Sequence, residues 1–157
     1  MARPCLTSVD ESSSSQMRSA KSLSKLRRLF AAQADHRCGY CLSSERLTGI
    51  RLTLDHIIPL AAGGKTEESN LWVACRPCNE FKATQTYAKD PLTNDMVSLF
   101  NPRLHKWNEH FEWGPDGTLI VDSTAIGRAT VVALQLNHDL IVYARRRWVK
   151  VGWHPPE

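Results

Sequence analysis

Two cysteine pairs constrain this chain more than any other feature: Cys38-Gly-Tyr-Cys41 and Cys75-Arg-Pro-Cys78. Each CxxC forms a tight knuckle whose two thiolates can share one cation, and two knuckles supply the four thiolates of a tetrahedral zinc site. Four thiolates close the coordination shell, so the expected Zn2+ on Cys38, Cys41, Cys75 and Cys78 is structural. The alternative is two unrelated pairs or a redox pair; against it, the pairs flank one compact apolar segment. Five cysteines are present. An odd count with CxxC spacing fits a reduced, cytoplasmic setting better than a secreted disulfide framework. Cys5 reads as a spare thiol.

Residues 42–74 separate the knuckles, room enough for a functional hairpin. Arg51-Leu-Thr-Leu54 reads as a strand, with Asp55 and His56 at or just beyond its end and Pro59 closing it. Gly63-Gly64 turns the chain into a loop that runs to Asn70. Leu71 to Ala74 is short and apolar and leads into the second knuckle. Pro77 suits the first turn of a helix. That helix carries Asn79 and Lys82 three residues apart on one face. The expected order is strand, strand, helix, with the polar residues where they meet.

Asp55 and His56 sit side by side in an otherwise apolar run, Leu54 to Pro59. A lone histidine among apolar residues is commonly a satisfied core histidine. Here it adjoins an acid at a strand end, and an asparagine follows the second knuckle. Hydrolysis of a phosphodiester needs an activated water, a cation on the leaving oxygen and in-line geometry. His56 can take a proton from water, since imidazole titrates near neutral pH. On an extended backbone Asp55 points the opposite way from His56 and can hold a hard cation, to which Asn79 adds an amide oxygen. Few protein ligands leave room for water and phosphate, which suits magnesium.

Taken together, CGYC, LDHIIP, SNLW and CRPCN with Lys82 resemble the HNH endonucleases of the zinc-braced ββα-metal type, over about residues 36 to 84. The resemblance implies His56 as general base and Asp55 as ligand of the catalytic divalent metal. It implies that Asn70 ties the inter-strand loop by hydrogen bonds and so orients His56. The family's last position is commonly histidine; Asn79 stands there, an HNN variant. Its oxygen favours Mg2+ or Mn2+ over softer metals. Lys82 reads either as a phosphate contact or as a solvated helix lysine.

The flanks say less. Residues 1–22 are polar, with Ser12 to Ser15 in a row, and read as a disordered tail; an organelle transit peptide is the alternative, weakened by Asp10 and Glu11. Leu23, Leu26 and Phe30 follow helical spacing, with Lys25, Arg27 and Arg28 opposite, to about Asp35. The nuclease core is expected over 23–90 and a C-terminal extension packed on it over 91–157. Within that extension the stretch after Tyr87 reads as a loop, and Phe100, Trp107, His110, Phe111 and Trp113 as an aromatic cluster. A strand is expected over 119–121, a helix capped by Thr124 to about Leu136, and a last helix from Asp139. That last helix is expected to turn Leu140, Tyr143 and Ala144 inward and Arg145, Arg146 and Arg147 toward water. The three arginines read as a phosphate-contact stripe or a solvated face. Arg103, His105 and His110 can line a DNA channel, or the aromatics with them can be core. The FNPR and HF…W pieces resemble the C-terminal part of bacterial HNH proteins, with no role implied.

The whole is therefore expected to be α+β: a ββα-metal core braced by a four-cysteine zinc, with a helical lead-in and an α+β extension. The net charge of +4 favours a polyanion, here DNA, and no apolar run is long enough to span a bilayer. A non-catalytic, zinc-stabilised nucleic-acid-binding module is the rival reading. A secreted killing nuclease is the third, weakened by the absence of any receptor or translocation region. A homodimer would be needed to cut both strands at one visit.

Overall fold

The computed structural model describes residues 11–157. The described residues form a mixed α+β fold, three separate two-stranded antiparallel sheets among six α-helices. Helix α1 (Glu11–Gln33) leads in. It starts well before Leu23, so residues 11–22, expected as disordered tail, are the first half of this helix; the expectation for residues 1–10, Cys5 included, lies outside the described residues. Its last turns bury Phe30 and Ala31, with Leu23 and Leu26 packed beside them. Phe30 stacks on Trp72 with ring centroids 5.4 Å apart. The helical spacing of these apolar residues is what turns that face onto the sheet.

The first knuckle follows, then a single-turn helix α2 (Glu45–Thr48) capped by Ser44. Glu45 holds this loop together. Its carboxylate pairs with His36 Nδ1 at 2.7 Å and accepts the Leu52 N–H at 2.8 Å. Strand β1 (Thr53–His56) pairs with β2 (Leu71–Ala74), Asp55 opposite Trp72 and His56 opposite Leu71. Asp55 and His56 thus lie inside β1, a little later than the residues expected to form it. Helix α3 (Arg76–Lys82) starts with Pro77 in its first turn.

The Ile57 N–H donates to the Asn70 carbonyl at 2.9 Å. The alternation of an antiparallel ladder then makes His56 and Leu71 a pair that is not hydrogen-bonded, with both carbonyls turned outward. The outer side of β1 gives the His56 carbonyl to Lys82 Nζ at 2.8 Å. Along β2, Arg103 Nε donates to the Leu71 carbonyl at 2.7 Å and the Gly39 N–H to the Val73 carbonyl at 3.0 Å.

The extension departs from expectation in its first part. The stretch after Tyr87 is a hairpin, β3 (Tyr87–Lys89) with β4 (Met96–Ser98), and Asp90 to Asp95 is its loop. The buried Asp90 caps that loop and pairs with Arg128 at 2.7 Å. Next come α4 (Trp107–His110) and a hairpin of β5 (Phe111–Trp113) with β6 (Ile120–Asp122). Helix α5 (Ala125–Ala133) is capped by Thr124, whose hydroxyl accepts the Gly127 N–H at 3.0 Å. Helix α6 (Asp139–Lys150) closes the order. Phe100, Phe111, Ile120, Leu134 and Leu136 share one buried cluster with Phe30, Tyr40, Leu52, Leu71 and Val73. Trp107 Nε1 donates to the Tyr40 carbonyl at 2.8 Å. No helix of the described residues is long and apolar enough to cross a membrane.

Helix α6 is rotated relative to expectation. Arg145 is fully buried, while Leu140 is 77% and Tyr143 56% exposed. The Arg145 guanidinium lies over the Trp113 ring, 5.1 Å from its centroid, and donates to the Thr118 carbonyl and Asn137 Oδ1. Arg145 is therefore a core residue rather than a phosphate contact. Arg146 and Arg147 stay exposed, Arg147 resting on the Tyr143 ring.

Candidate active site and zinc centre

The four knuckle cysteines converge. Their sulfurs all lie within 4.8 Å of one another, with Cys41 and Cys75 Sγ 3.6 Å apart. A tetrahedron of sulfurs about 2.3 Å from a zinc has edges of about 3.8 Å, so the residues fit the ion. The first knuckle is tightened by its own backbone: the Tyr40 N–H donates to Cys38 Sγ at 3.4 Å, and the Cys38 N–H to the Ser43 carbonyl. Burial pushes the Cys38 thiol well up. Hydrogen bonding within the cluster, with Cys38 foremost, pushes Cys78 up and holds Cys41 down. Four sulfurs this close, three of them buried, cannot all ionise alone; a dication among them removes that conflict.

Tyr40, the residue between the paired cysteines, reaches the neighbouring site. Its hydroxyl donates to Asp55 Oδ2 at 2.6 Å. Burial, reinforced by the adjacent carboxylate, pushes the Tyr40 phenol well above its ordinary value, which keeps it a donor. The other Asp55 oxygen, Oδ1, takes Lys82 Nζ at 3.1 Å. Asp55 and Lys82 are each 2% exposed. Asp55 thus meets one buried partner at each carboxylate oxygen, and each oxygen keeps a further lone pair. Lys82 is neither a solvated lysine nor a free phosphate contact. It is an internal cation that grips β1 by one side chain and one carbonyl.

His56 is half-buried, its Nε2 2.9 Å from Thr66 Oγ1 in the loop between the strands. Asn70, buried immediately before β2, binds that loop three times. Its Oδ1 accepts the Ile58 N–H, and its Nδ2 donates to the Ile58 and Lys65 carbonyls, each at 2.9 Å. Gly64 lets the loop pass: a Cβ there would run into the Ile58 carbonyl and the Asn70 amide nitrogen. Asn79 lies on the face of α3 toward β1 and donates through Nδ2 to Thr53 Oγ1 at 3.2 Å. That leaves its Oδ1 free of protein partners among the described residues.

The structure thus brings the Asp55 carboxylate and the His56 backbone carbonyl to the Lys82 ammonium, with the His56 ring held apart by Thr66. Arg145, Arg146 and Arg147 stand apart on α6. His105 and His110 belong to the aromatic cluster. Their rings are 4.9 Å apart. His105 Nδ1 accepts the Asn101 N–H, His110 Nδ1 is 2.7 Å from Thr124 Oγ1, and burial lowers the His110 pKa. Sequence reasoning missed Tyr40 and Thr66. Tyr40 had a usable signal, its place inside a knuckle beside an Asp-His strand; Thr66 had none.

Residues 38–85 match the family model described as HNH endonuclease. No curated protein and no solved structure matches the chain.

Proposed function

From the premise that residues 38–85 are an HNH endonuclease-family segment, we propose that the protein is a metal-dependent endonuclease that hydrolyses DNA phosphodiester bonds. The observation that carries this reading is the His56 arrangement. A half-buried imidazole at a strand end is held by a loop that Asn70 pins through three hydrogen bonds. On this reading His56 takes the proton of the attacking water. Thr66 fixes the ring, and Asn70 fixes the loop that carries Thr66. The four-cysteine Zn2+ is structural. Tyr40 passes its rigidity to β1 through Asp55. A divalent cation, Mg2+ or Mn2+, supplies charge neutralisation at the departing oxygen when bound. Of the two ligands the family pattern offers it, Asn79 Oδ1 is free of protein partners among the described residues, and the Asp55 carboxylate is oriented by Tyr40 and Lys82 with lone pairs to spare. The nuclease core extends over about 23–90, with 91–157 as its packed extension.

The test is nicking of supercoiled plasmid by zinc-loaded protein, with and without magnesium or manganese, beside His56→Ala. Metal-dependent conversion to open circles, lost in a folded variant that keeps its zinc, is the expected result. Cleavage by His56→Ala at the wild-type rate would overturn the assignment of the base.

A second reading has an observation of its own. Lys82 and Tyr40 occupy both oxygens of Asp55, as they would in a scaffold that binds nucleic acid without cutting it. DNA binding without cleavage under either metal favours that reading.

A further inference from the structure

We infer that Arg103, carried by the C-terminal extension, is a backbone-phosphate contact beside the nuclease site. The choice of DNA as its ligand rests on the function proposed above; the geometry stands without it.

The first observation is how firmly this exposed side chain is held. Its guanidinium lies over two rings at once, 4.7 Å from the Phe30 centroid and 5.0 Å from that of Trp72. Its Nε is tied to the Leu71 carbonyl at 2.7 Å. The turn beneath it is braced as well. The Arg103 N–H donates to Asn101 Oδ1, the His105 N–H to the Asn101 carbonyl, and the Asn101 N–H to His105 Nδ1. A guanidinium fixed in this way loses little side-chain freedom on meeting an anion.

The second observation is the lack of an acid. Among the described residues Arg103 faces none, and its two Nη groups make no hydrogen bond. Those groups form the fork that matches two oxygens of a phosphodiester. A residue needed only to cap a carbonyl would use one donor; four remain here.

The third is position. Leu71, whose carbonyl Arg103 grips, is the residue paired with His56. The fork therefore sits across the hairpin from the proposed base, on the edge of β2 opposite the one that Lys82 covers. The fork lies over Trp72, the residue paired with Asp55, so the phosphate it meets is one that flanks the hairpin rather than one held at His56 itself.

The test is equilibrium binding of a short DNA duplex to zinc-loaded, full-length protein without added magnesium or manganese, followed across a salt titration. Arg103→Ala is expected to lower affinity about tenfold and the slope of log affinity against log salt by about 1. Arg103→Lys, which keeps the charge without the planar fork, is expected to keep the slope and lose part of the affinity. Thermal melts identify any variant that fails to fold, and Arg103→Lys then carries the comparison. Wild-type affinity and slope in Arg103→Ala overturn the inference. So does a loss of affinity with an unchanged slope in that variant, the mark of a structural role. Plasmid cleavage by the same wild-type and His56→Ala preparations separates the two readings. If His56→Ala abolishes cleavage while Arg103→Ala binds as wild type, the nuclease stands and this inference falls. If wild type never cuts but Arg103→Ala lowers the slope, the phosphate contact stands and the nuclease falls. A folded wild type that does not bind DNA overturns both.

Discussion

Lys82 Nζ stands 3.1 Å from Asp55 Oδ1, and each residue is 2% exposed. Removing one charge of a buried pair strands the other, at a cost of about 3–5 kcal/mol. Lys82→Met is therefore expected to lose that much stability in urea unfolding. The double variant D55N/K82M, which strands no charge and leaves only the His56 carbonyl without its donor, should regain a large share. A Lys82→Met protein as stable as wild type would show that the pair does not brace β1.

Asn70 is expected to matter for position more than for stability alone. Asn70→Ala removes three hydrogen bonds, leaving the Ile58 N–H without its acceptor. The cost is about 1–3 kcal/mol, since the backbone groups released are only partly buried. Nicking should fall by at least about tenfold while the zinc content, measured by a colorimetric chelator, stays at one per chain. Gly64→Ala should resemble it, since the added carbon meets the same amide. Loss of zinc in either variant would place the damage in the knuckles instead.

Zinc removal should act on the whole fold. The cluster lies between Tyr40, which reaches Asp55, and α3, which carries Asn79 and Lys82. Titrating zinc out with a strong chelator is expected to release four reactive thiols and the near-ultraviolet signal of the tryptophans together. Thiol release with an unchanged tryptophan signal would make the centre dispensable for folding.

Acid should weaken the fold through His154. It is 5% exposed, edge-on to Trp113 at 4.4 Å, and burial followed by the nearby Arg145 charge lowers its pKa to about 4. The unfolded chain, with an ordinary histidine pKa near 6.5, binds a proton that the folded chain refuses. Stability therefore falls as pH drops below about 6.5 and levels off below about 4. The loss from this group is on the order of 3 kcal/mol. Urea unfolding of wild type and His154→Gln at pH 7 and pH 4.5 would test it; the variant should show the smaller loss over that interval.

The three arginines of α6 should separate cleanly. Arg145→Met is expected to destabilise the fold, since it empties the space under Trp113 and leaves Asn137 and Thr118 short of a donor. Arg146→Ala and Arg147→Ala, both exposed, should stay within about 0.5 kcal/mol of wild type. A stable Arg145→Met with weakened DNA binding would restore its surface role.

Spacing made the knuckles legible, because two CxxC pairs around an apolar segment have few ways to satisfy four thiols. The order of β1, β2 and α3 was legible from a short β-branched run, a glycine turn and Pro77. The partners of Asp55 were not. Strand alternation says which side a carboxylate leaves from, and it is silent on whether a lysine many residues later lies buried there. Arg145 failed for a related reason: three arginines in a row look like one charged face, yet a helix spreads them over some 200°, and one of them must turn inward. The β3–β4 hairpin escaped notice because its strands have three residues each, too few for alternation to show.

The paired carbonyls of His56 and Leu71 carry one more consequence. A two-stranded sheet exposes an edge on either side, each a template for a strand from another molecule. Here Lys82 takes the His56 carbonyl on one edge, while Arg103 and Gly39 take those of Leu71 and Val73 on the other. The groups that anchor this hairpin thus also occupy outer carbonyls on both of its edges, which leaves a short and otherwise adhesive ribbon a poorer template for a strand from another molecule.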